Sequence, residues 1–372
     1  MRSFENDNKQ VRERARRYST IKYTVELVEI FYVLIFLTIC WRSGLSFFLA
    51  NLSQKVCSNF FCVLLVYSFL LAVIYFIIEF PLSFYSCFLL EHQFGLSQQQ
   101  VTSWLRDHLK ANLIGFVITF SGIVLWQYVM IWQPLNWWWQ TAFIWISLSF
   151  LLNYLAPLTI IPIFFRYQVL TDEKLRQKIM DLAAKMGVPL LGVYQIDLSS
   201  KTNKVNAALV GWGKTRRVLL ADNLLQRFEP QEIEVVLAHE FAHQRMNHIV
   251  KLFLLQSALT LMFFYFLWLF NQKWTIFTMR IDNLPLFFIY WIIFSVFSRP
   301  FVNAISRHLE SNADKYALMF ISERQAFIST MEKLARDNLA DRNPHPFIKF
   351  IFFDHPSIEE RITAAYSNYY LK

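Results

Sequence analysis

Two histidines and a glutamate in the stretch HEFAHQRMNH have the spacing of a catalytic metal site. His239 and His243 are four residues apart, and Glu240 directly follows the first histidine. Side chains four residues apart lie on one face of an α-helix, so both imidazoles can bind the same Zn²⁺ ion. Glu240 is then placed to take a proton from a metal-bound water. The HExxH pattern therefore predicts a zinc hydrolase, although an ordinary amphipathic helix can carry two histidines by chance.

A hydrolytic zinc site usually has three protein ligands and one open position, so a third ligand must come from elsewhere in the chain. The stretch SRHLESNADKYAL contains Glu310 and Asp314, which are four residues apart and share a helical face. Glu310 is the best candidate for the third ligand. We expect Asp314, one turn further on, to accept an N–H hydrogen bond from a ligating histidine. The alternative is a solvated acidic face that binds no metal.

The composition indicates a polytopic membrane protein. The chain has 372 residues, of which 55% are hydrophobic and only 17% are charged, with 38 Phe and 12 Trp. Six apolar runs are long enough to span a bilayer, at 25–41, 58–78, 112–132, 142–165, 249–270 and 284–302. The run at 80–90 is either a tilted continuation of the second span, a re-entrant segment or a seventh span.

The basic residues flank these apolar runs. The formal charge of +9 could suggest nucleic acid, but the basic residues form no stripe with interleaved aromatics, so we expect no nucleic-acid partner. With six spans, 30 Lys and Arg lie on one side, and the other side has only Arg42, Lys55, Lys273 and Arg280. This asymmetry predicts that both termini and the metal motif face the cytosol. We expect residues 1–22 to be a retained cytosolic tail and not a signal peptide.

The four cysteines indicate neither a disulfide framework nor a thiolate metal site. Cys40, Cys57, Cys62 and Cys87 lie in or beside apolar segments and show no CxxC spacing. Histidine and carboxylate side chains must therefore supply the metal ligands.

Residues 166–248 have the composition of a small soluble domain. Thr171 is predicted to cap a helix whose acidic first turn holds Asp172 and Glu173 and which ends near Gly187. Three β-like runs predict a meander beside the metal helix, at 193–198, 206–212 and 217–222. There is no Gly or Pro between Pro230 and Asn283. We therefore expect one helix to carry the zinc ligands and to continue as the fifth span.

The predicted fold class is mainly α, a polytopic membrane protein with six or seven transmembrane helices and a small α+β zinc metalloprotease domain. Four parts follow in order: a tail with transmembrane helices (1–165), the domain with the HExxH helix (166–248), a transmembrane hairpin (249–302) and a C-terminal helical segment with the third ligand (303–372). The hairpin returns the chain to the side it left. His243 and Glu310 are therefore expected at similar depths, roughly 9 and 12 Å of helix from the bilayer.

Further motifs resemble the integral-membrane zinc metalloproteases of the CAAX prenyl protease 1 type. They are Asn247 and His248 after HExxH, the 306–314 run with its Arg307, the Asn206–Ala207 pair, LEHQFGLSQQQVTSWLRDHLK (90–110) and HPSIEERI (355–362). HExxH and the glutamate run are shared with bacterial heat-shock membrane proteases. The 90–110 and 355–362 segments point to the prenyl-protease branch.

The resemblance implies zinc ligands His239, His243 and Glu310 and a catalytic Glu240. It also implies that Asn206 binds the substrate backbone or the oxyanion, and that a second group supports the site, namely Arg307, Asp314, His248 and His355. His248 and His355 could equally be plain surface histidines. Members of this branch enclose a large water-filled chamber within seven membrane helices, with the metal at its cytosolic end, whereas this chain shows six clear spans.

The sequence therefore predicts a membrane zinc endopeptidase that cleaves membrane-associated or C-terminally prenylated substrates. A metalloprotease for membrane-protein quality control is the alternative, and a non-catalytic membrane scaffold with a vestigial site is a third reading. The expected cofactor is Zn²⁺. The expected partners are a peptide or protein substrate and the lipid bilayer.

Overall fold

The computed structural model of the protein describes residues 2–274, 280–321 and 323–367. The described chain is mainly helical and contains one four-stranded sheet. The helices of the first half are α1 (Arg2–Arg42), α2 (Leu45–Val56), α3 (Phe60–Phe84), α4 (Leu90–Gln93), α5 (Val101–Trp132) and α6 (Trp137–Phe164). The predicted tail is thus the start of α1, continuous with the first span.

Five segments of the described chain are long and apolar enough to cross a membrane, namely Gln10–Arg42, Phe60–Gln93, Val101–Trp132, His248–Gln272 and Ile281–Ala317. The predicted number of six or seven spans is above this count. The predicted fourth span, 142–165, lies in α6, which is helical over 28 residues but is not among the five. Two prolines inside α6, Pro157 and Pro162, each remove one backbone N–H donor from that helix.

The run at 80–90 continues the second span and is no separate crossing. The chain passes through Pro81 within α3 and goes on directly through a π-helical turn, Tyr85–Leu89, into α4. A wider turn of this kind absorbs an irregularity in the helix without ending it. Of the three alternatives for this run, the continuation of the second span is therefore confirmed.

The segment at 42–57 forms the helix α2, which begins after Gly44 with its φ of +80°. The Ser46 hydroxyl donates to the carbonyl of Asp282 at 2.7 Å. α2 therefore contacts the residues just before the membrane helix that begins at Leu284. A disulfide joins Cys57 to Cys62 across the turn between α2 and α3. The expectation of no disulfide was wrong, because this turn brings together two cysteines whose spacing signals no pairing.

The soluble part follows α6 and contains β1 (Tyr167–Val169), α7 (Glu173–Lys185), β2 (Gly192–Ile196), β3 (Ala207–Val210), β4 (Arg217–Ala221), α8 (Asp222–Arg227) and α9 (Pro230–Arg245). The strand order is β1-β2-β4-β3, with β2 and β4 parallel and the other pairs antiparallel. The predicted meander was wrong, because β4 lies between β2 and β3. Asp222, directly after β4, accepts from the backbone N–H groups of Leu198 and Ser199 at 3.0 and 2.9 Å. The loop between β2 and β3 is therefore held at the end of β4. The chain therefore re-enters at the outer edge, and β3 is an edge strand.

The metal helix and the next membrane span are two helices, α9 and α10 (His248–Trp274). The prediction of one continuous helix was wrong. The chain turns at Asn247, whose φ of +54° is outside the helical region. Asparagine adopts this left-handed conformation more readily than most residues, so a break is possible without glycine or proline.

The remaining helices are α11 (Leu284–Ala317), α12 (Arg324–Asp337), α13 (Pro346–Phe352) and α14 (Ile358–Tyr366). α11 runs from the membrane into the soluble part and packs against α9 there. α12 and α14 cover the outer side of α9, where Val235, Phe327 and Ile362 are buried together. The soluble core thus holds α9 on both sides.

Candidate metal centre

Two histidines of α9 and a glutamate of α11 face one another at the point where the two helices cross. The Nε2 atoms of His239 and His243 are 3.0 Å apart. The two carboxylate oxygens of Glu310 lie 3.1 Å from His239 Nε2 and 3.2 Å from His243 Nε2. The three ligand atoms lie within 4.8 Å of one another. Each deprotonated atom can offer a lone pair to one ion between them, so this donor set fits a divalent cation.

Small side chains allow the two helices to approach closely enough for this contact. Ala238 and Ala242 on α9 and Ala313 and Ala317 on α11 are fully buried in one core cluster. A larger side chain at these positions would push α11 away from α9 and withdraw Glu310 from the histidines. The start of α9 is held by a capping box, in which Glu232 accepts from the backbone N–H at the N-cap.

Asp314 contacts His239 on the side opposite the metal point. Its Oδ1 atom lies 2.9 Å from His239 Nδ1. Arg361 donates to both carboxylate oxygens of Asp314, at 2.6 and 2.8 Å. Asp314 is therefore a buried carboxylate with a paired cation, and it fixes the orientation of the His239 ring.

Arg361 was not among the predicted site residues, although it lies within the 355–362 motif. Its guanidinium is buried between Asp314 and His239, with Nη2 3.4 Å from His239 Nδ1. An arginine in a segment that resembles a family motif and follows two acidic residues was the available signal. Only the tertiary structure shows which carboxylate it pairs with.

His239 has a strongly perturbed pKa in this arrangement. Burial alone would lower it, but the hydrogen bonds with Asp314 and Glu310 outweigh burial and raise the pKa of His239 to about 9. The imidazole holds a proton at neutral pH when no metal is bound. Metal binding must therefore displace that proton.

His248 is fully buried, so the reading of it as a surface histidine was wrong. Its Nδ1 atom lies 3.0 Å from Nδ1 of His243, on the side of that ring away from the metal point. The contact arises because the turn at Asn247 directs the first residue of α10 back towards α9. His248 therefore orients His243 as Asp314 orients His239.

His355 faces the metal centre from the loop before α14. Its Nε2 atom is 3.3 Å from Glu310 Oε2, and its Nδ1 atom is 2.7 Å from the carboxylate of Asp354. Burial alone would lower the pKa of His355, but the hydrogen bond with Asp354 and the charge of Glu310 raise it. With half of its side chain accessible, His355 can reach a bound substrate.

Arg307 lies one turn before Glu310 and does not face the metal point. It donates to the backbone carbonyls of Lys349 at 3.2 Å and Phe353 at 2.5 Å. Arg307 therefore supports the site indirectly, because it holds the segment that precedes His355.

Glu240 and Asn206 line one cavity of about 430 Å³ next to the metal centre. Glu240 projects from α9, and Asn206 is exposed directly before the edge strand β3. Apolar side chains complete the wall, among them Tyr23, Phe352, Phe353, Met331 and Leu334. The cavity thus combines a proton acceptor, an amide donor and an apolar surface.

The family model described as peptidase family M48 matches residues 169–368, more than half of the chain. The chain belongs to peptidase family M48. A second model, described as the CAAX prenyl protease N-terminal region with five membrane helices, matches residues 5–166, which hold α1 to α6. The predicted recognition and the predicted fold class are therefore confirmed.

Known relatives agree with this family. The chain is 27% identical over 281 residues to the metalloprotease YhfN of Bacillus subtilis, which covers 73% of this chain and 66% of that protein. It is 29% identical over 318 residues to CAAX prenyl protease 1 of Saccharomyces cerevisiae, which covers 77% and 68%. The crystal structure of S. mikatae Ste24p has the same fold, with a TM-score of 0.85 and 23% identity over 96% of this chain and 89% of that chain.

The chain spans about two thirds of the length of these curated relatives. Family membership and the membrane helices make it a membrane metalloendopeptidase by descent and fold. The enzyme class predicted from HExxH is confirmed at this level.

Proposed function

We propose that the protein is an active zinc endopeptidase that cleaves C-terminally prenylated, CAAX-type chains beside the membrane. The observation that carries the proposal is the meeting of His239, His243 and Glu310 in one site, with Glu240 in the adjoining cavity. Two imidazole nitrogens and one carboxylate are the ligand set of many hydrolytic zinc sites. When bound there, Zn²⁺ would supply Lewis-acid polarisation of the scissile carbonyl and a more acidic water.

The chain's own residues would divide the remaining work. Glu240 takes a proton from the attacking water and delivers it to the leaving amine. The side-chain amide of Asn206 donates to the substrate backbone or to the developing oxyanion. His355, whose raised pKa favours the imidazolium, adds a second donor on the Glu310 side of the cavity.

The edge strand β3 would hold the substrate in an extended form. β3 pairs with β4 on one side only, because it is the last strand of the sheet. An extended peptide can pair with its open edge through main-chain hydrogen bonds. Such pairing has no sequence preference, so the choice of substrate must come from elsewhere in the cavity and from the membrane.

The membrane and the apolar cavity wall favour a lipidated substrate. The metal ligand Glu310 stands on α11, which belongs to a candidate membrane span, and the first residue of α10 contacts His243. A lipid chain contributes about 0.8 kcal/mol per buried CH₂ towards holding a peptide at this depth. The similarity to CAAX prenyl protease 1 of Saccharomyces cerevisiae supports this substrate class.

We also propose that the metal centre faces the cytosol. The start of α1, the end of α4 and the soluble domain lie together, because Tyr18 and Lys204 both contact Glu91. Almost all basic residues outside the apolar runs belong to this end, which the positive-inside rule assigns to the cytosol.

The decisive experiment compares a peptide ending in a prenylated CAAX sequence with its unprenylated twin. We expect cleavage of the prenylated peptide at one bond, next to the modified cysteine, and slower cleavage of the twin. Glu240→Gln is the matched inactive control. Equal rates for the two peptides, or efficient cleavage of a misfolded membrane protein at many bonds, would favour the quality-control reading instead.

A further inference from the structure

The segment 202–206, which leads into β3, is held by three separate parts of the molecule. The backbone N–H of Val205 donates to Oδ1 of Asn338 at the end of α12, at 2.9 Å. Asn223 at the start of α8 donates to the carbonyl of Lys204 at 2.7 Å. The third part is the loop that follows α4, which comes from the membrane half of the chain.

This loop contacts the segment mainly through its backbone. The carbonyl of Leu96 accepts from the backbone N–H of Asn203 and from the hydroxyl of Thr202, each at 2.8 Å. The carbonyl of Gly95 accepts from the side chain of Asn203, also at 2.8 Å. The soluble domain is therefore docked on the membrane half immediately before its edge strand.

A buried carboxylate, Glu91, stands at the centre of this contact, and only 8% of its surface is exposed. It accepts from the hydroxyl of Tyr18 at 2.6 Å and pairs with Lys22 at 3.1 Å and with Lys204 at 2.9 Å. Lys204 also donates to the hydroxyl of Tyr18 at 2.8 Å. Three chain segments thus share one closed network, in which each buried charge has a partner.

We propose that Glu91 and Lys204 are positioning residues for substrate binding, because they set the edge strand β3 against the metal centre. Lys204 is two residues from Asn206 and three from the first residue of β3. Without Glu91, the partly buried ammonium of Lys204 loses its carboxylate and must move towards solvent, and the segment moves with it. The metal ligands stand on α9 and α11, outside this network. Substitutions in this network are therefore expected to weaken substrate binding without affecting metal binding.

The inference rests on the proposed pairing of substrate with β3. That pairing exists before and during the reaction, so its loss weakens ground-state and transition-state binding alike. We expect Glu91→Gln and Lys204→Met each to raise KM by about tenfold while kcat stays within about twofold of the wild type. The metal content stays at the wild-type level.

The variants form a double-mutant cycle with internal controls. Because both substitutions break the same pair, Glu91→Gln with Lys204→Met raises KM little further than either alone. Lys204→Arg keeps the charge and restores most of the affinity. Glu173→Gln is the matched control, since it breaks an exposed ion pair with Arg176 on α7 by the same chemical change.

Hydrogen exchange tests the same inference without any substrate. In Glu91→Gln the backbone amides of 202–210 should exchange faster than in the wild type, and those of α9 should not change. Unchanged KM with unchanged exchange at 202–210 overturns the inference. Equal acceleration in α9, or loss of the metal, also overturns it, because Glu91 would then hold the whole domain. If the wild type cleaves neither peptide, the proposed function fails, and the exchange result still decides the role of Glu91.

Discussion

In the metal centre, we expect three residues to bind the metal and Glu240 to transfer a proton. Single substitutions can separate these two roles. His239, His243 and Glu310 converge on the metal point, whereas Glu240 lines the cavity beside it. We expect His239→Ala, His243→Ala and Glu310→Ala each to lose the zinc. Glu240→Gln should retain zinc and lose turnover by about 10²–10⁴-fold, because only proton transfer is removed.

Metal analysis paired with peptide cleavage measures both effects on the same preparations. Zinc loss in all four variants would contradict the division of roles. Retention of zinc in Glu310→Ala would mean that another carboxylate is the third ligand.

The proton on His239 makes metal binding depend on pH. The pKa of this imidazole is raised to about 9, so below that pH the metal-free site holds a proton that the metal must displace. The apparent metal affinity should therefore fall by about tenfold as the pH falls from about 8 to about 7. Competition with a chelator of known affinity at several pH values gives this slope.

Asp314→Asn is the control for the pH effect, because it removes a partner that raises the pKa of His239. The slope should become shallower, while the affinity itself falls by roughly 10–100-fold, the usual scale for a lost partner of a ligating histidine. A wild-type affinity that is constant between about pH 7 and pH 8 would show that His239 is neutral in the metal-free site.

The turn between α9 and α10 connects helix geometry to the metal centre. Asn247 has a φ of +54°, and the chain direction it sets places His248 against His243. Asn247→Gly should leave thermal stability and zinc affinity nearly unchanged, since glycine adopts this conformation freely. Asn247→Val should destabilise the protein by about 1–2 kcal/mol and weaken zinc binding, because a branched side chain resists positive φ.

Thermal unfolding in detergent and zinc titration distinguish the two Asn247 variants. Equal behaviour of the glycine and valine variants would show that the backbone strain at this turn has no influence on the metal centre.

The metal centre and the soluble domain lie on one side of the membrane helices, and the turn between α5 and α6 lies on the other. The charge asymmetry predicts which side is cytosolic. We expect Gln10→Cys, Ser200→Cys and Ser367→Cys to be labelled from the cytosolic side of sealed vesicles, and Leu135→Cys from the other side. The background should lack the four native cysteines, two of which pair with each other. Labelling of positions 10 and 200 from opposite sides would contradict the proposal that the start of α1 and the soluble domain share the cytosolic side.

The cluster of His239, His243 and Glu310 and the five spanning segments of the described chain were predictable from the sequence. HExxH has a spacing that only a helix turns into a ligand pair, and Glu310 follows a membrane hairpin that returns it to the same side. Apolar runs predict membrane spans because a run of about twenty apolar residues is long enough to cross the hydrocarbon core of a bilayer. These signals are local, so the sequence carries them without knowledge of the fold.

The tertiary structure decided which side chains support those residues and how the strands are ordered. Arg361 pairs with Asp314 across 47 residues of sequence, and Glu91 pairs with Lys204 across a longer interval. No local periodicity encodes such contacts, because they depend on how helices pack. Likewise, each β-like run predicts a strand but not its neighbour, so the position of β3 at the sheet edge followed only from the route of the loop before it. Side-chain pairing and strand order are consequences of packing in three dimensions, whereas helix faces and membrane spans are consequences of the chain's own repeat.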